Sequence, residues 1–103
     1  MEYRKLGDTG IEVSVVGLGC NNFGGMWDAG QTLDQSRRVI DAALDAGVTL
    51  FDTAPVYGMG GSEAHLGEAL GKRRGQAVIA TKFGHPGEAA GANGSKAYVR
   101  QAI

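Results

Sequence analysis

A single cysteine, Cys20, rules out an internal disulfide, and no second thiol near it supplies a metal site. That usage fits a reducing compartment, so a cytoplasmic location is expected. An excess of one charge sign is also lacking. Ten basic residues stand against eleven acidic ones, a net charge of −1, which provides no long-range positive field to gather nucleic acid or an anionic membrane surface. Long apolar runs are missing too. No run of signal-peptide length follows Met1-Glu2-Tyr3-Arg4-Lys5, and the uncharged strings further on are broken by glycine, so neither secretion nor membrane spanning is expected. With 103 residues, one small compact unit is the limit.

Glycine is what the chain has in abundance. Its 18 glycines are more than twice the average share of roughly 7%. They follow no fixed period and sit at the ends of apolar segments, so they punctuate elements and do not mark a low-complexity tract.

Tyr3 to Leu6 and Ile11 to Ser14, separated by Gly7-Asp8-Thr9-Gly10, read as a β-hairpin. The apolar run Val15-Val16-Gly17-Leu18-Gly19 then reads as a strand covered on both faces. Thr32-Leu33-Asp34-Gln35 has capping-box spacing and should start a helix. Val39, Ile40, Ala43 and Leu44 give that helix an apolar face, and Gly47 falls where a left-handed C-terminal residue is wanted. Val48-Thr49-Leu50-Phe51, ending at Asp52, and Ala77-Val78-Ile79-Ala80, ending at Thr81-Lys82, read as short buried strands with polar tips. Between them Ser62 is a candidate cap for a helix through Gly71. Glu63 would favour its N-terminal end and Lys72-Arg73-Arg74 its C-terminal end, with Leu66, Ala69 and Leu70 facing inward. Gly84 to Gly94 is a loop by composition. Ser95 can cap a last helix carrying Val99 and Ile103.

Strand, helix, strand, helix, strand after a hairpin is an α/β pattern suited to right-handed crossovers and a parallel sheet. The last helix has no stop signal, and three covered strands would leave apolar sheet edges open. The pattern therefore looks truncated, with edges that would pair with a complementary chain or with a second copy.

In such a sheet the C-terminal strand ends share the face where ligands bind. Asp52 and Lys82 end two of the strands, and Tyr57 lies five residues past Asp52. Taken singly, Asp52 reads equally as a loop cap, Lys82 as a solvated strand end and Tyr57 as a wet loop aromatic. Together they make a tuned proton donor. A neighbouring ammonium stabilises tyrosinate and draws a tyrosine pKa from about 10 toward neutrality, while a carboxylate holds the ammonium in place. Such a hydroxyl suits an oxygen that gains negative charge in the transition state, as in carbonyl reduction. Cys20 has no partner base at motif spacing and reads as a small buried thiol in preference to a nucleophile.

Phe51-Asp52-Thr53-Ala54-Pro55-Val56-Tyr57-Gly58, then Ser62-Glu63-Ala64-His65-Leu66-Gly67-Glu68-Ala69-Leu70, then Val78-Ile79-Ala80-Thr81-Lys82 closely resemble the aldo/keto reductase family in residues and order. Arg4-Lys5-Leu6-Gly7 with Thr9-Gly10 and Val13-Ser14 resembles the family's opening hairpin, which closes the bottom of its (β/α)8 TIM barrel. Gly17-Leu18-Gly19 resembles its first barrel strand. The resemblance covers nearly all of residues 1–103 as part of one barrel domain and is weakest at Gly24 to Gly30 and Gly84 to Gly94. It implies a hairpin followed by the first three β/α units. It further implies reduction of a small-molecule aldehyde or ketone by NADPH, with NADH as the alternative cofactor. Tyr57 would be the general acid, Lys82 its tuning cation and Asp52 the partner of Lys82. Gly19, Cys20, Asn21 and Asp52 would lie near the nicotinamide. The family's fourth catalytic residue is a histidine ending the next strand, and neither His65, within the second helix, nor His85, in the following loop, can be it.

A Rossmann domain is the first rival, through Gly17-Leu18-Gly19-Cys20-Asn21-Asn22 after a strand. Asn22 stands in place of the third glycine, however, and Phe23 to Gly30 separates strand from helix, whereas that fingerprint needs the helix to begin at once. The second rival is a barrel relative that binds nucleotide without turnover, or a catalytically incomplete segment. A full barrel takes roughly 250 residues. Residues 1–103 alone are therefore expected neither to fold as a stable monomer nor to reduce carbonyls, and steady NADPH consumption by the purified segment with an aromatic aldehyde would contradict this.

Overall fold

The computed structural model describes residues 1–25, 31–84 and 94–102. β1 (Tyr3–Lys5) and β2 (Glu12–Ser14) pair antiparallel, with Tyr3 opposite Ser14 and Lys5 opposite Glu12. The expected hairpin is present. Its turn is closed by the Leu6 amide donating to the Ile11 carbonyl at 2.8 Å, and the Thr9 hydroxyl donates to the Leu6 carbonyl at 2.6 Å.

β3 (Gly17–Gly19), β4 (Leu50–Asp52) and β5 (Val78–Ala80) form one parallel sheet in that order. Its register aligns Gly17, Leu50 and Val78 in one row, Leu18, Phe51 and Ile79 in the next, and Gly19, Asp52 and Ala80 in the last. Since side chains alternate between faces, Leu18, Phe51 and Ile79 share one side. That side packs on the helices. The expectation of a first strand covered on both faces fails, because Val15 and Val16 stand 47% and 53% exposed ahead of a three-residue strand. They link hairpin to sheet and do not lie under a helix.

α1 (Leu33–Asp45) begins as expected. The Thr32 hydroxyl accepts from the Gln35 amide, and the Gln35 side chain accepts from the Thr32 amide at 2.9 Å. Gly47, at φ +89°, ends it. The Gly47 amide donates to the Leu44 carbonyl and the Val48 amide to the Ala43 carbonyl, each at 2.9 Å, which is the paired C-terminal motif that a left-handed glycine permits. The Tyr3 hydroxyl donates to the Gly47 carbonyl at 2.8 Å. Buried Ser14 accepts from the amides of Thr49 and Leu50. The hairpin is thereby fixed to the N-terminal side of β4, opposite the strand ends that carry Asp52 and Lys82.

α2 (Gly61–Leu70) is followed by a 3-10 turn over Gly71–Gln76. Two local expectations are corrected here. Ser62 does not cap the helix, which starts one residue earlier with Gly60 at its head; the Ser62 hydroxyl is drawn inward by buried partners. Arg73 also leaves the helix end and reaches Asp45 at 2.9 Å and Asp41 at 3.4 Å on α1. The last described element, α3 (Lys96–Ala102), starts as expected, with the Tyr98 amide donating to the Ser95 hydroxyl. Most of the loop expected from Gly84 to Gly94 lies outside the described residues, as does part of the segment from Gly24 to Gly30.

Phe51, Ile40, Leu44, Leu66, Ala69, Leu70 and Ala77 build the core between the sheet and the two helices, with Cys20 and Phe23 at its upper end. There the backbone of Gly24, at φ +85°, lies directly against Gly61. A Cβ added at Gly24 would fall 2.5 Å from the Gly61 carbonyl carbon, whereas one added at Gly10, φ +77°, would meet nothing within 4 Å. Gly10→Ala should therefore cost only the left-handed penalty of about 1–2 kcal/mol, while Gly24→Ala should cost a further ~1–3 kcal/mol of overpacking. Urea unfolding of the two variants in the full-length protein measures the difference, and equal losses would count against the close contact.

Candidate active site at the strand ends

The register row Gly19, Asp52, Ala80 is the floor of the candidate site. Both flanking residues are small and exposed, so nothing beside Asp52 screens its carboxylate from the open face. Lys82 lies two residues past Ala80, and alternation returns its side chain to the side that Asp52 occupies. The Lys82 ammonium donates to Asp52 Oδ1 at 2.8 Å and to the Thr53 carbonyl at 2.9 Å. Its hydrogen bond to Asp52 lifts it above the ordinary lysine range, against a smaller opposing effect of burial. It therefore carries full charge at neutral pH.

Tyr57 opens a 3-10 turn over Tyr57–Gly60, held by its amide donating to the Ala54 carbonyl at 3.1 Å. The turn reverses through left-handed Gly58 (φ +60°) and Met59 (φ +52°) before α2 begins. Lys82 Nζ sits over the Tyr57 ring, 5.1 Å from its centroid, within cation–π range. The three residues singled out in the sequence are thus brought together.

Cys20 is fully buried. Burial first, and then the nearby charge of Asp52, push its thiol up to about 11, with Lys82 opposing. It is no nucleophile. Its amide donates to the Asp52 carbonyl at 2.9 Å, so it anchors the turn from which Gly19 and Asn21 stand exposed. Sequence reasoning missed Thr53 and Ser62, both buried beneath this turn, with hydroxyls 2.8 Å apart. The only signal for Ser62, its place before Glu63 at a helix start, pointed to a cap. His65 lies within α2, as expected, with its Nδ1 3.0 Å from the Ser36 hydroxyl on α1. The helix start at Leu33, well past Gly19, also removes the Rossmann alternative.

A parallel α/β sheet with a tyrosine, a lysine and an aspartate gathered beyond its strand ends defines a class of fold with an open, polar strand-end face. Among proteins so built, the sequence model of the aldo/keto reductase family matches residues 15–103, and the chain belongs to that family. It is 48% identical over 84 residues to aldo-keto reductase YhdN of Bacillus subtilis, covering 80% of this chain and 25% of that protein. The fold superposes on the crystal structure of PA4992 from Pseudomonas aeruginosa with a TM-score of 0.82 and 38% identity, over 97% of this chain and 38% of that one. An aldo-keto reductase from Klebsiella pneumoniae in complex with NADPH matches with a TM-score of 0.70 and 30% identity, over 88% and 29% of the two chains. The chain thus spans about a quarter of the length of its curated relative. Among the described residues no helix is long and apolar enough to cross a membrane, and no cluster of His, Cys, Asp and Glu could hold a metal ion.

With the thiol pushed up to about 11, only roughly one Cys20 in a thousand is thiolate at pH 8. Labelling of Cys20 by iodoacetamide at pH 8 should run about 100-fold slower in the native full-length protein than in urea. Comparable rates would place the thiol at the surface.

Proposed function

We propose that the protein carrying this segment reduces aldehydes and ketones to alcohols with NADPH, Tyr57 acting as the proton donor. The observation that carries this is the Lys82 ammonium, bonded to Asp52 at 2.8 Å and poised over the Tyr57 ring at 5.1 Å on the open strand-end face. In this reading the three strands are the first of a (β/α)8 barrel and the hairpin closes its bottom.

Asp52 fixes the ammonium. Lys82, held above the ordinary lysine range, is a permanent cation and not a proton carrier, so the transferable proton belongs to the Tyr57 hydroxyl. As a carbonyl oxygen gains negative charge, that hydroxyl donates its proton while the neighbouring ammonium offsets the charge left on tyrosine. When bound, NADPH supplies the hydride that completes the alcohol. The residues present fit its neutral nicotinamide end. Gly19 has open space where a side chain would stand, Asn21 offers an exposed amide, and Asp52 lies in register beside Gly19. Cys20, with its side chain buried and its amide engaged, shapes the turn that presents them. A related structure in complex with NADPH supports NADPH as the cofactor.

A second reading concerns residues 1–103 taken alone. The chain spans a quarter of its relative's length, and His65 lies within α2, which favours a catalytically incomplete segment. Its outer strands β3 and β5 would then take further strands from the rest of a barrel.

In the full-length protein Tyr57→Phe should lower kcat by about 10²- to 10⁴-fold, the usual worth of a positioned acid. NADPH affinity, followed by fluorescence titration, should stay close to wild type. Undiminished turnover in this variant would refute the assignment.

A further inference from the structure

Ser62 is fully buried in the first turn of α2, yet its hydroxyl serves no bond within that helix. It donates to the Cys20 carbonyl at 2.7 Å. Its one proton being spent there, the 2.8 Å contact with Thr53 Oγ1 must run from the Thr53 hydroxyl to Ser62. Three segments meet at this atom. Cys20 belongs to the exposed Gly19–Asn21 turn, and its amide is already bound to the Asp52 carbonyl. Thr53 follows Asp52, receives the Lys82 ammonium on its carbonyl at 2.9 Å, and donates its amide to the Ala80 carbonyl at 2.8 Å. Ser62 itself sits five residues past Tyr57, beside the Gly24–Gly61 backbone contact.

We infer that Ser62 is a positioning residue: its hydroxyl locks the Gly19–Asn21 turn to the segment that carries Asp52 and receives Lys82, setting the cofactor-facing turn and the proton-donating group in one rigid frame. This rests on the reductase reading. The hydroxyl touches neither substrate nor cofactor and acts through the Cys20 carbonyl and the Thr53 side chain. Without it, among the described residues the Cys20 carbonyl keeps only the Phe23 amide at 3.2 Å, and beyond its strand the turn is tied to the Asp52 segment by the Cys20 amide alone.

Ser62→Ala leaves the buried Thr53 hydroxyl without its acceptor, which destabilises the fold whatever the role of Ser62. The paired variant Thr53→Val with Ser62→Ala removes both hydroxyls at nearly constant shape, and its melting temperature should return to within about 2 °C of wild type. In the full-length protein both variants should show an NADPH dissociation constant raised about tenfold in fluorescence titration, the effect of one buried hydrogen bond. Their kcat should also fall, whereas Tyr57→Phe should lose kcat with its dissociation constant unchanged. A dissociation constant within about twofold of wild type in the paired variant would overturn the inference, since Ser62 would then support only the fold. Failure of both variants to fold would overturn it on the same ground. Wild-type protein that binds no NADPH would instead overturn the reductase reading beneath it.

Discussion

The parallel register of three short strands is the constraint on which the rest depends. It sets Gly19, Asp52 and Ala80 side by side, and from that row every feature of the candidate site follows. Small neighbours leave the Asp52 carboxylate open, alternation brings Lys82 back over it, and the Cys20 amide, one residue beyond the row, closes on the Asp52 carbonyl. A slip of one residue in β4 would turn Asp52 toward the core and Phe51 into water. The burial of Phe51, Ile40 and Leu66 therefore fixes the position of the chemistry as well as the fold.

What could be read from the sequence was local or carried by family resemblance. The capping box at Thr32 and Gln35, the left-handed Gly47 and the hairpin turn are written within six residues each, and all are present. The gathering of Asp52, Tyr57 and Lys82 was legible because strand ends of a parallel sheet share a face. Failures came where a distant partner won. Ser62 has the sequence position of a cap, but the Cys20 carbonyl, 42 residues away, takes its proton. Arg73 was placed at a helix end, but the carboxylates of Asp41 and Asp45 take its guanidinium. Glycine at 24 and 61 carried no sign of which backbone it would touch, since that contact is made only when the two loops meet.

The turn after Tyr57 shows how those glycines serve the site. Three consecutive left-handed residues, Gly58, Met59 and Gly60, reverse the chain between the strand end and α2. Met59 accepts this conformation without being glycine, at a cost on the order of 1–2 kcal/mol, and stands 92% exposed. It gains no packing in return. A Cβ at Gly58 would lie 2.7 Å from the Phe23 carbonyl oxygen, so the neighbouring loop leaves the turn little room to relax. Tyr57 is thus held by backbone contact on one side and by its amide bond to Ala54 on the other.

The Asp52–Lys82 pair contributes little to holding this fold together. Both side chains are about half exposed, at 50% and 48%, and pairs so wetted are typically worth about 0–1 kcal/mol. Its significance is directional. The ammonium is held at three points, by a carboxylate, a backbone carbonyl and an aromatic face, which removes the rotational freedom a lysine keeps on an open surface. Any group that covers the open face and displaces water would strengthen the same charges without moving them. Preorganisation is therefore built into the strands, and the remaining electrostatic strength depends on what closes over them.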